Sequence, residues 1–144
     1  MDCPVGEPGG RVRPRGLPHV DPPARPQAAE ARDTVVTIAV NAGIAVADLA
    51  RADFVLANSA EVGLPQSWLP RLATLKAAGA AGLAVGLLDG RFTAFVGIAA
   101  AIGLVLFFAG ALAAHVRARV FRNIAFPGGY FALAVASLAL AAAR

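Results

Sequence analysis

The sequence predicts an all-α protein, an integral membrane four-helix bundle with a disordered N-terminal tail. Three observations lead there. Hydrophobic residues make up 58% of the 144, and the mean hydropathy of +0.65 lies outside the usual range for a soluble domain. From Thr34 onward the apolar residues gather into four runs, near 35–56, 68–88, 92–116 and 124–143. Each run is close to the ~20 residues that a helix needs to cross about 30 Å of hydrocarbon. The runs are continuous and rich in Ala, Leu and Gly instead of alternating, which disfavours a transmembrane β-barrel. Helices satisfy their own backbone hydrogen bonds, so lipid can cover the outer faces of one domain spanning 34–144.

Residues 1–33 hold most of the ten prolines and five arginines, with hardly any large apolar residue. Such a segment buries too little surface to offset chain entropy and is expected to be disordered. No apolar stretch follows Arg11, Arg13 and Arg15, so it does not read as a secretory signal. It reads as a cytosolic anchoring tail, a Pro-rich ligand for a partner, or the product of an over-extended start site.

In the first run Thr37, Asn41 and Asp48 fall within about 60° of one line on the helix surface, a polar stripe that belongs against other helices. The run is expected to continue through Leu49 and Phe54, carrying Asp48, Arg51 and Asp53 to the far interface. Asp48 and Arg51, at i and i+3, can neutralise each other there. Asn58 to Ser67, with Glu61, Gly63 and Pro65, reads as a loop or short interfacial turn. Trp68 then anchors the second helix at headgroup level, with Pro70 in the first turn. Lys76 lies about 12 Å deeper along that helix, a costly depth for a charge without a partner. Its candidate partners are Asp48, Asp53 and Glu61, and Lys76, Asp48, Asn41 and Glu61 are the candidate ligand or proton-site residues.

Beyond Lys76, Gly79, Gly82 and Gly86 share one side of the second helix, and the third presents Ala99, Gly103, Gly110 and Ala114. Both small faces read as helix-packing surfaces. The third helix ends in His115, Arg117 and Arg119, which with Trp68 read as headgroup contacts. The fourth starts near Asn123, carries Pro127 in its first turn, and from Tyr130 on is nearly all Ala and Leu.

Charge and composition exclude several functions. The net charge of +4 comes from arginines in the tail and the short connections, and no continuous basic face tracks phosphates, so nucleic acid is not an expected partner. Cys3 is the only cysteine, which excludes an intramolecular disulfide or a CxxC pair. His19 and His115 lack companions at ligand spacing, so no metal site is expected. Four crossings place both termini on one side, and the tail arginines tip that side toward the cytoplasm.

Three segments together resemble a known family: QSWLPRLATLKAAGAAGLAVGLL after Pro65, GIAAAIGLVLFFAGALAAHVRAR from Gly97, and NIAFPGGYFALAVASLAL from Asn123. Over residues 34–144 the chain resembles the DoxX-like family of small bacterial membrane proteins. The resemblance implies a four-helix protein of the bacterial inner membrane, with relatives linked to quinone-dependent sulfur oxidation and membrane redox assemblies. It implies no catalytic residues. The leading expectation is a non-catalytic subunit that docks a redox partner or supports access to quinone, since Lys76 beside small residues can serve an apolar slot. Nothing in the chain carries an electron, so it is not expected to be an oxidoreductase alone. A small proton-coupled carrier, as a homo-oligomer, and a purely structural membrane protein are the alternatives.

Overall fold

The computed structural model describes residues 26–143, and among them the chain is all-helical. Its α-helices are α1 Pro26–Leu49, α2 Asp53–Glu61, α3 Leu69–Gly86, α4 Arg91–Arg117 and α5 Ala125–Ala142, with a 3-10 turn Gln66–Trp68 before α3. Of the four long helices, α1 packs against α3 and α5, and α4 completes the ring by packing against α3 and α5 in turn. The larger core cluster is Leu83, Ala101, Leu104, Phe108 and Ala134, and a smaller one joins Ile44, Val55 and Leu69 where α1, α2 and α3 meet.

Two helices, α4 and α5, are long and apolar enough to cross a membrane, and the residues Ala31–Leu49 and Asp53–Glu61 make a third candidate if counted as one bent span. The 18-residue α3, carrying Arg71 and Lys76, is not among them. This is a membrane protein by composition and helix length. Residues 1–25, most of the expected tail, lie outside the described residues, and α1 already begins at Pro26.

The first apolar run is two helices, not one. α1 stops at Leu49, and α2 leaves at 86° to it. The stop is a Schellman cap: the Ala52 N–H donates to the Ala47 carbonyl at 3.0 Å and the Arg51 N–H to that of Asp48 at 3.2 Å, with Arg51 left-handed at φ 53°. The α4 C-terminus repeats it, Val120 donating to His115 and Arg119 to Val116, with Arg119 at φ 58°. Glycine is the usual occupant of that position, because an L side chain there crowds its own carbonyl at about 1–2 kcal/mol. Arg119→Gly is therefore expected to stabilise the protein by about 1 kcal/mol. An upward shift of the thermal midpoint in detergent would bear this out, and a downward one would mean that the Arg119 side chain contributes more than its backbone costs.

Small residues set the α3–α4 crossing. A Cβ on Gly86 would lie 2.5 Å from the Gly97 Cα, one on Gly82 2.5 Å from the Ala100 Cβ, and one on Gly79 2.5 Å from a Leu104 methyl. The opposing face is thus Gly97, Ala100, Ala101 and Leu104, not the one expected from the sequence. Gly103 and Gly110 are exposed, with nothing within 4 Å of an added Cβ. Across the bundle, the buried Ser137 hydroxyl donates to Thr37 Oγ1 at 2.9 Å, and the Thr37 hydroxyl donates to the Asp33 carbonyl at 3.0 Å, tying α5 to α1.

Candidate functional site

The break after α1 opens a chamber of about 630 Å³. Its walls come from the last turn of α1, the inner face of α2, the first half of α3, the second half of α4 and the start of α5. That is the volume of a small-molecule site, and the walls are mostly apolar with a few polar groups.

The innermost polar group is an ion pair. Lys76 Nζ donates to Asp48 Oδ2 at 2.7 Å, with side chains 11% and 3% exposed. Close α1–α3 packing brings the last turn of one helix against the second turn of the other, and both side chains line the chamber. The ammonium also stands 5.4 Å from the centre of the Phe107 ring, a favourable place for a desolvated cation. Of the three carboxylates considered for Lys76, the structure selects Asp48. The local Asp48–Arg51 pair does not form, because the capping conformation turns Arg51 outward, where Nη2 donates to Gln66 Oε1 at 3.2 Å.

Glu61 is at the far rim. It ends α2, accepts from Arg122 Nη2 at 2.6 Å and Asn123 Nδ2 at 2.8 Å, and so fastens α2 to the α4–α5 connection. Asn41 lies outside the chamber lining. It is wholly buried, donating through Nδ2 to the Thr37 carbonyl at 2.8 Å, and its Oδ1 has no partner among the described residues.

His115 corrects the reading of the α4 end. It is 3% exposed and lines the chamber instead of meeting headgroups, while Arg117 and Arg119 beyond it are exposed. Its Nδ1–H donates to the Ala111 carbonyl at 2.9 Å, and Nε2 lies 3.2 Å from the Asn58 side-chain oxygen on α2. That second contact is a hydrogen bond either in the imidazolium or with the Asn58 amide turned to present its N–H. Trp68 is 49% exposed at the chamber rim, with the Arg71 guanidinium 6.0 Å from its ring centre, a position consistent with an interfacial anchor.

A chain of rings lines the wall between Lys76 and α2. Phe107 meets Phe108 edge-on at 5.1 Å, Phe108 stacks on Tyr130 at 5.2 Å, Tyr130 meets Phe126 at 5.4 Å, and Phe126 meets Phe54 of α2 at 6.5 Å. Tyr130 touches both core clusters, and its hydroxyl makes no hydrogen bond among the described residues. Sequence reasoning passed over Asn58, Phe107, Phe108 and Tyr130. One signal was present: Phe126 and Tyr130 stand at i and i+4, an aromatic pair on one face of an Ala- and Leu-rich helix.

No curated protein and no solved structure matches the chain. The match is to a family model, which covers residues 33–137 and so takes in every wall of the chamber. The chain belongs to the DoxX-like family.

Proposed function

We propose that this protein binds a quinone-class molecule in the chamber and acts as a non-catalytic membrane subunit that presents it to a redox partner. The observation that carries the reading is the placement of a single buried ion pair in a large, aromatic-walled apolar chamber. A quinone has a flat ring, two carbonyl oxygens and an apolar tail. Lys76 uses one N–H on Asp48 and has two others for a ring oxygen. Tyr130 offers a second donor, Phe107 and Phe108 offer faces for the ring, and the remaining apolar wall suits the tail. Nothing in this reading assigns electron transfer to the chain, and any redox step belongs to the bound molecule and the partner.

The alternative, a small proton-coupled carrier, would expose the same site to each side of the membrane in turn. The cleft at the opposite end of the bundle, between Thr34, Gly86, Gly97 and Ser137, measures about 20 Å³, room for one water. With α1, α3, α4 and α5 each crossing a bacterial inner membrane, both chain ends would face the cytoplasm.

The test is extraction into native lipid particles, followed by mass spectrometry of the bound small molecules and proteins. The wild type is expected to carry a prenylated quinone. Ala111→Trp, which projects an indole into the chamber, is expected to carry at least about tenfold less, a loss of about 1.4 kcal/mol in binding. Bulk lipid alone in the wild type would sink the quinone reading.

A further inference from the structure

The chamber has a movable side. α2 is joined to its neighbours at two points, Ala50–Ala52 and Val62–Pro65, and each joint holds a left-handed residue, Arg51 at φ 53° and Gly63 at φ 70°. Only Val55 and Ser59 of α2 are buried, and Val55 packs in the cluster with Ile44 and Leu69. No backbone hydrogen bond joins α2 to α4 or α5 among the described residues. What holds α2 over the chamber is a few side chains. Asn58 meets His115 at 3.2 Å, Glu61 takes hydrogen bonds from Arg122 and Asn123, and Phe54 rests against Phe126. Elements held by so few contacts have the lowest opening free energies in a fold.

We propose that α2 is a lid on the half-open chamber, pivoting on Val55 and held in place by two catches, Asn58 on His115 and Glu61 on Arg122 and Asn123, so that ligand exchange quickens on their release. The proposal rests on the chamber being the ligand site. It gives the polar residues at the α2 end a regulatory role separate from the recognition at Lys76. Both catches sit on the half of α2 beyond Val55, on either side of the buried Ser59. Both are polar contacts at the rim, so a partner that competes for Glu61 or Arg122 would open the chamber without touching its floor. Arg122 is 80% exposed at the side chain, within a partner's reach.

Opening can be read without any ligand. In a Cys3→Ser background, a reporter cysteine is placed inside the chamber by Ala111→Cys, and in a second protein outside it by Gly103→Cys. Each is reconstituted in phosphatidylglycerol–phosphatidylethanolamine nanodiscs and labelled with N-ethylmaleimide. Glu61→Ala is expected to raise the labelling rate at position 111 by about tenfold, as expected when a local opening becomes cheaper, and to leave that at position 103 unchanged. Arg122→Gln, which removes the same catch from the other side, should act alike. Equal rates at position 111 with and without the catch, or parallel acceleration at both positions, would overturn the lid. Because the readout needs no quinone, acceleration at position 111 in a protein that carries only bulk lipid would keep the lid and reject the quinone.

Discussion

Replacing Lys76 with Met is expected to destabilise the fold by about 3–5 kcal/mol, the usual cost of removing one partner from a buried ion pair. Asp48 is 3% exposed, and Lys76 is its sole ion-pair partner among the described residues. With the ammonium gone, Asp48 must either stay charged in an apolar surrounding or take up a proton, and both cost free energy at neutral pH. The paired variant separates charge from shape. Lys76→Met with Asp48→Leu removes both ions and fills their space, so it should recover most of the lost stability. Thermal unfolding in one detergent, following helix content, reads all three proteins. A single variant within about 1 kcal/mol of wild type would mean that Asp48 is already neutral, and the ion pair would leave the account of the site. The paired variant should nonetheless lose the bound quinone, since Tyr130 alone would remain as donor at that end of the chamber.

Gly86→Leu should cost about 3 kcal/mol, at the upper end of what overpacking does. The atom that a Cβ would strike, the Gly97 Cα at 2.5 Å, is backbone and cannot rotate away. The α3–α4 crossing must widen, and since α4 carries Phe107, Phe108 and His115, the chamber wall shifts with it. Gly103→Leu, on an exposed face of α4 with nothing within 4 Å of an added Cβ, should change stability by no more than about 1 kcal/mol. Gly86 closes α3 and Gly103 lies in the middle of α4, so propensity accounts for less than about 1 kcal/mol of the difference, and the rest reports the crossing. Equal effects would show that α3 and α4 are not in close backbone contact.

Particular residues show where sequence reasoning reached and where it stopped. The stripe of Thr37, Asn41 and Asp48 follows from helical period alone, and all three are buried. The small face of α3 was equally legible, because Gly79, Gly82 and Gly86 follow one another at the three- and four-residue steps of one helix face. Its counterpart on α4 was not. That helix is rich in Ala and Gly all round, so several faces are small enough, and only packing distinguishes Gly97 and Ala100 from Gly103 and Gly110. His115 was grouped with Arg117 and Arg119 as neighbours in sequence, yet Arg117 is turned about 200° from it around the helix, and Arg119 lies past the end of α4 in the left-handed conformation. The end of α1 carried no Gly or Pro to mark it, since an arginine fills the left-handed position that glycine usually takes.

An all-helical membrane protein with a buried charged residue follows from local properties alone, which are hydrophobicity, helical period and the cost of a buried ion. Helix packing settles the rest: the first run breaks into two helices, Asp48 is the partner of Lys76, and His115 faces a chamber instead of the bilayer surface. Those contacts join residues 28, 57 and 61 positions apart, Asp48 to Lys76, Asn58 to His115 and Glu61 to Arg122. Each depends on how helices cross in space, and no spacing along the chain encodes that distance.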